Sequence, residues 1–143
     1  MTNITNEILL LHSTLRNMCK YNKLNDVINQ VSKDIIVYKY SYYQFKAKKK
    51  YSIEKIKNIL LELYSLKDKN AILGNCVSFS LTVFFIAVMN GYDPEFIIGT
   101  KKEDFKLFAH AWVNIKGVTI DLSTNKDKFK EIKCLRFKLD GEL

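Results

Sequence analysis

The sequence predicts an α+β protein in which a helical N-terminal half precedes an apolar core helix and a small antiparallel sheet. Three observations favour this class. Apolar residues recur at helical spacing through much of residues 1–70, an almost wholly apolar stretch follows Cys76, and short alternating segments come after that stretch. The 143 residues suit one domain. We therefore expect residues 1–70 and 71–143 to be the two halves of a single folded unit spanning residues 1–143.

Two helices are predicted first. Residues 4–20 place apolar side chains at three-and-four spacing, namely Ile4, Ile8, Leu11, Leu15 and Met18. His12 and Cys19 lie in the same segment, and we interpret both as structural. After a polar break, Asn25 is expected to cap a short second helix. Its apolar residues are Val27, Ile28 and Val31.

The segment 34–43 is ambiguous because β-branched and tyrosine side chains lie between helical flanks. Its tyrosines can pack against a neighbouring helix or form a peptide-docking surface. Residues 46–50 are a lysine-rich connector, after which Ser52 is expected to cap another helix. The apolar face of that helix consists of Ile53, Ile56, Ile59, Leu60, Leu63 and Leu66.

The core helix is predicted over residues 77–90, which are apolar on nearly every side. Gly91 should end it in a left-handed conformation. Strands are predicted over 95–100, 106–115 and 118–122, with a polar loop at 101–104 and a hairpin turn at Lys116–Gly117. The alternation over 129–139 indicates a further strand.

Composition excludes some classes of protein. Residues 1–7 do not have the pattern of a secretory signal, and the longest apolar segment, 79–89, is shorter than the about 20 residues of a membrane span. Cys19, Cys76 and Cys134 are odd in number and widely spaced. We expect a cytoplasmic protein with free thiols, no membrane span, and neither a metal nor an organic cofactor.

The formal charge of +8 comes almost entirely from lysine. A solvated lysine-rich surface explains it, and nucleic-acid readers usually rely on arginine, so no nucleic-acid partner is expected. A basic, non-catalytic binding module for nucleic acid or an acidic partner remains the alternative.

The register of the predicted hairpin brings a histidine and an aspartate together. A turn at Lys116–Gly117 pairs Ile115 with Val118 and Val113 with Ile120. Continued along the strands, it pairs Trp112 with Asp121 and His110 with Ser123. His110 and Asp121 then project from one face as diagonal neighbours, about 7–8 Å apart at the backbone and within reach of each other's side chains.

Cys76 begins the predicted core helix. Unpaired N–H groups and the positive end of the helix dipole favour a thiolate there, and the same N–H groups can stabilise an oxyanion. Cys76, His110 and Asp121 thus form the layout of a nucleophile, a base and an orienting carboxylate. Asn75 and Cys76 are candidate oxyanion or substrate-binding residues, and so is Trp112, which shares the face of His110. Core packing explains Trp112 equally well.

The order Cys76, then Ala109-His110-Ala111-Trp112-Val113, then Asp121 resembles the transglutaminase-like cysteine peptidase fold, a relative of papain. More closely, residues 75–123 resemble the lasso-peptide leader peptidases, the microcin-processing B proteins of bacterial biosynthetic clusters. Ser80 and Leu81 behind the cysteine and the strand Phe96-Ile97-Ile98-Gly99 add to the match. Many of those relatives carry a basic residue near the cysteine, where this chain has Asn75, Val77 and Ser78.

The resemblance implies a specific activity. Members of that family remove the leader from a ribosomally made precursor peptide, after which a lasso cyclase closes the ring. Carried over, Cys76 attacks the amide, His110 serves as base and then acid, and Asp121 holds His110. The short chain resembles the split form that works with a separate leader-recognition protein. Transamidation or cross-linking of a peptide through the same thioester remains the alternative chemistry.

Overall fold

The computed structural model describes residues 4–31, 33, 51–122 and 129–136, and within them helices precede strands along the chain. The helices are α1 (Asn6–Tyr21), α2 (which includes residues 24–31), α3 (Ile53–Asp68) and α4 (Cys76–Met89). The strands are β1 (Glu95–Glu103), β2 (Lys106–Ile115), β3 (Val118–Ile120) and β4 (Lys130–Arg136). They form one antiparallel sheet in the order β3-β2-β1-β4. The predicted α+β class is confirmed.

Helix α4 lies at the centre of the core. Every residue from Ser78 to Val88 is buried, with α1 and α3 against the helix on one side and β2 on another. Four phenylalanine side chains are fully buried there: Phe79, Phe84, Phe85 and Phe96. Burial of each such side chain stabilises the fold by about 1.5–3 kcal/mol, so the position of α4 is strongly fixed. Cys76, at its first turn, is only half-buried.

The amphipathic helices pack as their sequence spacing predicts. In α1, Ile8 and Leu15 are buried, and the side chain of Thr5 caps the helix. In α3, the buried residues are Ile56, Ile59, Leu60 and Leu63. The Ser52 hydroxyl accepts a hydrogen bond from the Lys55 N–H at 3.0 Å, which confirms it as the cap. None of the helices in the described part of the chain is both long and apolar enough to cross a bilayer.

Helix α2 begins earlier than predicted. The Val27 N–H donates to the Lys23 carbonyl at 3.0 Å, so the first turn covers residues 23–27. Asn25 therefore lies inside the helix, and its prediction as the cap is wrong. The segments 34–43 and 46–50 lie outside the described residues, and the predictions for them stay predictions.

The turns of the sheet show one agreement and one difference. Lys116 and Gly117 have φ of 50° and 77°, and Ile115 pairs with Val118, as predicted. However, β1 continues through the predicted loop at 101–104. Asp104 and Phe105, both at positive φ, form a two-residue turn instead. Neither residue is glycine, so the sequence lacked the usual indication of such a turn. The predicted strand in the tail is confirmed as β4.

Candidate active site

The start of α4 is fixed by a reciprocal cap. The Asn75 side-chain carbonyl accepts a hydrogen bond from the Ser78 N–H, and the Ser78 hydroxyl accepts one from the Asn75 N–H, both at 3.0 Å. This capping box satisfies the Ser78 N–H. The N–H groups of Cys76 and Val77 are then the first-turn donors that the cap does not use at the positive end of the helix.

Helix α1 supports the same turn from the opposite side. His12 is 2% exposed, its Nε2 atom lies 3.3 Å from the Ser78 hydroxyl oxygen, and its ring stacks on Phe79 with 4.8 Å between centroids. Burial and the nearby Arg16 lower the pKa of His12 to about 4, so the ring is neutral at pH 7. A Cβ at Gly74 would lie only 2.9 Å from His12 Nε2. The interpretation of His12 as structural agrees with these contacts.

Two polar contacts hold the start of α4 against strand β2. The Ser80 hydroxyl donates to the Ala111 carbonyl at 3.1 Å, and the Ala111 N–H lies close enough to the Cys76 sulfur to lower the pKa of its thiol. In an antiparallel strand that pairs through Val113 and Ile115, Ala111 directs its backbone groups to the same side. Helix α4 therefore occupies the edge of β2 where β3 would otherwise continue.

That contact explains why β3 is shorter than predicted. The strand ends at Ile120 instead of residue 122, and its ladder ends at the pair Val113–Ile120. Asp121 follows the strand rather than pairing with Trp112 within it. Ser123, the predicted partner of His110, lies outside the described residues.

Asp121 nevertheless reaches the histidine as the face argument predicts. The Nε2 atom of His110 lies 2.6 Å from Asp121 Oδ1, and the two side chains are only 14% and 5% exposed. A short contact that excludes water in this way is a strong, charge-assisted hydrogen bond. Because Nε2 is engaged with the carboxylate, Nδ1 is the ring nitrogen left for the thiol.

The Cys76 thiol lies close enough to the His110 ring for each group to shift the pKa of the other. Burial raises the pKa of the Cys76 thiol, but the hydrogen bond from His110 and those from the Ala111 and Val77 N–H groups outweigh it, and the net shift is downward. The hydrogen bonds to Asp121 and Cys76 outweigh burial at His110 and raise its pKa to about 9. The two shifts oppose each other in the way that favours a thiolate beside an imidazolium.

The structure therefore brings Cys76, His110 and Asp121 into one contiguous cluster. A thiolate paired with a proton-carrying imidazole is a nucleophile with its acid and base at hand. The other cysteines have different surroundings. Burial raises the pKa of the Cys19 thiol, and burial with the carboxylate of Glu95 raises that of Cys134. Neither has a histidine partner among the described residues.

The two remaining predicted site residues have different positions. Asn75 is exposed at the mouth of the helix, with its carbonyl oxygen committed to the cap. Trp112 is 7% exposed and stacks on His110, with ring centroids 5.9 Å apart and planes inclined at 28°. Its ring therefore covers one side of the imidazole. Its predicted role in substrate binding stays a prediction.

Three residues near His110 and Cys76 were not singled out as site residues from the sequence. Ser80 holds α4 to β2, Phe129 packs on the His110 ring, and Gly99 lies beneath both aromatic neighbours of that ring. Gly99 had one usable indication, because a glycine inside a strand often marks a close approach. Phe129 had none, since its contact depends on how β4 crosses the sheet.

Comparison with protein families gives one result. The family model described as the transglutaminase-like superfamily matches residues 47–134, a segment that contains the cysteine, the histidine and the aspartate of the cluster. Comparisons with curated proteins and with solved structures give no significant match.

Proposed function

Because the chain belongs to the transglutaminase-like superfamily, a group of cysteine peptidases and acyltransferases, we propose that it is a cysteine peptidase that removes the leader from a lasso-peptide precursor. The observation that carries the proposal is the contact of the Cys76 thiol with an imidazole that Asp121 holds at 2.6 Å. In this proposal Cys76 is the nucleophile, His110 the proton carrier and Asp121 the group that orients His110.

The first half of the reaction forms a thioester. The Cys76 thiolate attacks the carbonyl carbon of the scissile amide, and the carbonyl π electrons move to its oxygen. As the tetrahedral intermediate collapses, the C–N bond breaks and the leaving amine takes the proton that His110 carries. The core peptide leaves with a free amine, and the leader remains bound to sulfur through its C-terminal acyl group.

Hydrolysis then releases the leader. His110, now neutral, takes a proton from a water molecule as the water oxygen attacks the thioester carbonyl. The C–S bond breaks, the sulfur leaves as a thiolate, and the imidazolium is restored. The leader departs with a new carboxylate, so the net reaction adds one water across one amide.

The oxyanion of the intermediate needs donors close to the sulfur. The Cys76 N–H at the first turn of α4 is one candidate, since the capping box does not use it. The side-chain amide of Asn75 is the second. Its oxygen accepts a hydrogen bond from the Ser78 N–H at 3.0 Å, so its NH₂ is the part of the amide that the cap does not use.

The choice of substrate rests on the resemblance of residues 75–123 to the lasso-peptide leader peptidases. On that basis the partners are the precursor peptide, a separate leader-recognition protein and, downstream, the lasso cyclase, all in a bacterial cytoplasm. The formal net charge of +8 suits an acidic partner, though it does not single one out.

Acyl transfer is the second candidate, because the superfamily contains acyltransferases and the thioester can be resolved by an amine as well as by water. The products differ in mass. Hydrolysis gives two fragments whose masses sum to the precursor plus one water, whereas transfer to an amine adds no water.

The test combines the purified chain with the precursor and small recognition protein read from the reading frames beside its gene. Mass spectrometry should find a free leader carrying a new carboxylate. Cys76→Ala should give no product, whereas the matched control Cys134→Ala should cleave normally, because Cys134 is exposed on β4. Cleavage that survives Cys76→Ala would rule the proposal out.

A further inference from the structure

A phenylalanine at the start of β4 packs on the catalytic imidazole. The centroid of the Phe129 ring lies 5.2 Å from that of His110, and the two planes are inclined at 37°. Trp112 contacts the same imidazole at 5.9 Å. His110 thus has one aromatic neighbour from its own strand and another from the residue directly before β4, a strand that does not pair with β2.

The missing side chain of Gly99 allows Phe129 to reach His110 across β1. Strand β1 lies between β2 and β4, and Gly99 pairs with His110 on one side and with Glu131 on the other. A Cβ at Gly99 would lie 2.7 Å from Trp112 Cη2 and 3.0 Å from Phe129 Cβ. Real Cβ atoms essentially never approach another atom to 2.7 Å, and a contact at 3.0 Å is tighter than nine in ten real Cβ contacts. Both neighbours also sit against the His110 ring. Space, rather than backbone conformation, requires glycine here.

The register of β4 changes beside Gly99. The ladder between β1 and β4 shifts by one residue between Ile98 and Gly99, so that Ile98 pairs with Lys133 and Gly99 with Glu131. A bulge of this kind changes the direction of a strand and of its side chains. It lies where β4 passes Gly99, close to the point at which Phe129 reaches the imidazole.

A hydrogen bond at one nitrogen does not by itself fix an imidazole. The ring can still rotate about its Cβ–Cγ bond and tilt about the contact between Nε2 and Asp121, either of which moves Nδ1 away from Cys76. Packing by Phe129 and Trp112 opposes both motions and keeps water from the 2.6 Å contact. Displacements of about 1 Å in such geometry cost on the order of 10²-fold in rate.

We propose that Phe129 is a positioning residue for His110, and that Gly99 is a glycine because only its missing side chain lets Phe129 and Trp112 reach that ring. The inference rests on the proposed role of Cys76 and His110 as the reacting pair. Strand β4 carries no predicted catalytic group, yet the residue that leads into it would position His110 on β2, at the far side of β1.

Phe108 provides the matched control. It is on the same sheet face as His110, two residues along β2, and is 44% exposed. The Lys101 ammonium lies 4.8 Å from the Phe129 ring centroid and 5.6 Å from that of Phe108. Removing either ring therefore removes an aromatic group beside Lys101, but only Phe129 contacts His110.

The experiment measures the rate at which iodoacetamide alkylates Cys76 across pH, resolved by mass spectrometry of the peptide that carries it. Phe129→Ala should lower the rate at pH 7 about tenfold or more and move the acid limb of the profile to higher pH. Phe129→Tyr should restore most of the rate, since its ring occupies the same space. Phe108→Ala should leave both quantities unchanged. Phe129→Leu keeps nearly all the apolar volume and should fall between Ala and Tyr.

The outcomes separate this inference from the proposed function. Should Phe129→Ala and Phe129→Leu both alkylate like the wild type, while wild-type Cys76 reacts far faster than Cys134, the positioning role is overturned and the reacting pair stands. If wild-type Cys76 reacts no faster than Cys134, the pair itself fails. Thermal unfolding identifies loss of fold in Phe129→Ala, in which case Phe129→Leu decides.

Discussion

At the scale of single residues, opposed pKa shifts define the site. A carboxylate at 2.6 Å raises the pKa of His110 to about 9, and the protonated ring in turn lowers that of Cys76 against the effect of burial. Each shift depends on the other group, so the pair titrates as a unit. The state with charge on both groups exists below pH about 9 and above the lowered pKa of the thiol.

Asp121→Asn tests the proposed role of Asp121 in orienting His110. The hydrogen bond to Asp121 is the largest cause of the raised pKa at His110, so its loss should bring that pKa down from about 9 toward 6.5. Cleavage at pH 7 should fall by about 10²–10⁴-fold, and the alkaline limb of the rate profile should move to lower pH. Asp104→Asn, the same change at an exposed turn, is the control. An unmoved alkaline limb in Asp121→Asn would contradict the assignment.

Two substitutions at Asn75 distinguish its role as the helix cap from its proposed role in catalysis. Asn75→Ser keeps an oxygen that can accept from the Ser78 N–H and removes the amide donor. We expect stability close to wild type and a turnover number lower by about 10–10²-fold. Asn75→Ala should additionally cost about 1 kcal/mol in the free energy of unfolding. If the wild type and Asn75→Ser have equal turnover numbers at saturating precursor, the Asn75 amide does not stabilise the oxyanion.

The cluster of Cys76, His110 and Asp121 could be predicted from the sequence. A two-residue turn at Lys116–Gly117 sets the register, and the period of two then places His110 and Asp121 on one face. The position of Cys76 directly after the N-cap residue Asn75 can likewise be predicted from neighbouring residues in the sequence. The packing of Phe129 over Gly99 was not within reach, because it depends on the pairing of β4 with β1 and on the bulge between them.

At the scale of elements, the start of α4 is the point where the two halves of the described fold meet. Helix α1 supports it through His12 and Ser78, and strand β2 through Ser80 and the Ala111 backbone. Cys76 lies two residues before Ser78 and four residues before Ser80. Its distance from His110 is therefore set by how α4 docks on the edge of β2, and the early end of β3 leaves room for that docking.

Ser80→Ala tests the docking. It removes the donor to a buried carbonyl and should cost about 1–3 kcal/mol in the free energy of unfolding. Because the lost bond joins α4 to β2, the rate of Cys76 alkylation should also fall. Thr82→Ala is a matched control: the Thr82 hydroxyl donates at 2.8 Å to the Ser78 carbonyl within the same helix. It should lose comparable stability in urea unfolding and keep the alkylation rate. Equal rates in both variants would argue against docking through Ser80.

The sequence predicted the types of most elements better than their ends. The extension of β1 to Glu103 was missed because a turn of Asp104 and Phe105 lacks glycine, although aspartate tolerates positive φ. The end of β3 was predicted wrongly because α4, which is distant in sequence, occupies the edge of β2 beyond Val113. Both errors reflect tertiary contacts that local patterns do not contain.

At the scale of the molecule, α1 lies outside the residues that match the superfamily, 47–134, and yet it packs against the first turn of α4. The buried His12 links that packing to pH. Its pKa is about 4 in the folded protein and about 6.5 in the unfolded chain, so the unfolded state binds the proton first. Stability from the neutral ring is present above pH 6.5 and is lost as pH falls from 6.5 toward 4.

Urea unfolding across that range checks the effect. Between pH 7 and pH 4, the free energy of unfolding of the wild type should fall by up to about 3 kcal/mol more than that of a variant without His12. His12→Asn, which does not titrate, should be less stable at pH 7 and show a flatter dependence on pH. Parallel curves for the two proteins would mean that His12 is not buried in neutral form.

The most direct measurement of the central claim is the pH dependence of Cys76 alkylation in the wild-type protein, with Cys134 in the same sample as the internal reference. Cys76 should react at lower pH than Cys134 because its thiol pKa is lowered, and its rate should change again near pH 9 as His110 loses its proton. Cys134 should react appreciably only at higher pH, because its thiol pKa is raised. A Cys76 profile that rises together with that of Cys134 would show that no thiolate–imidazolium pair exists.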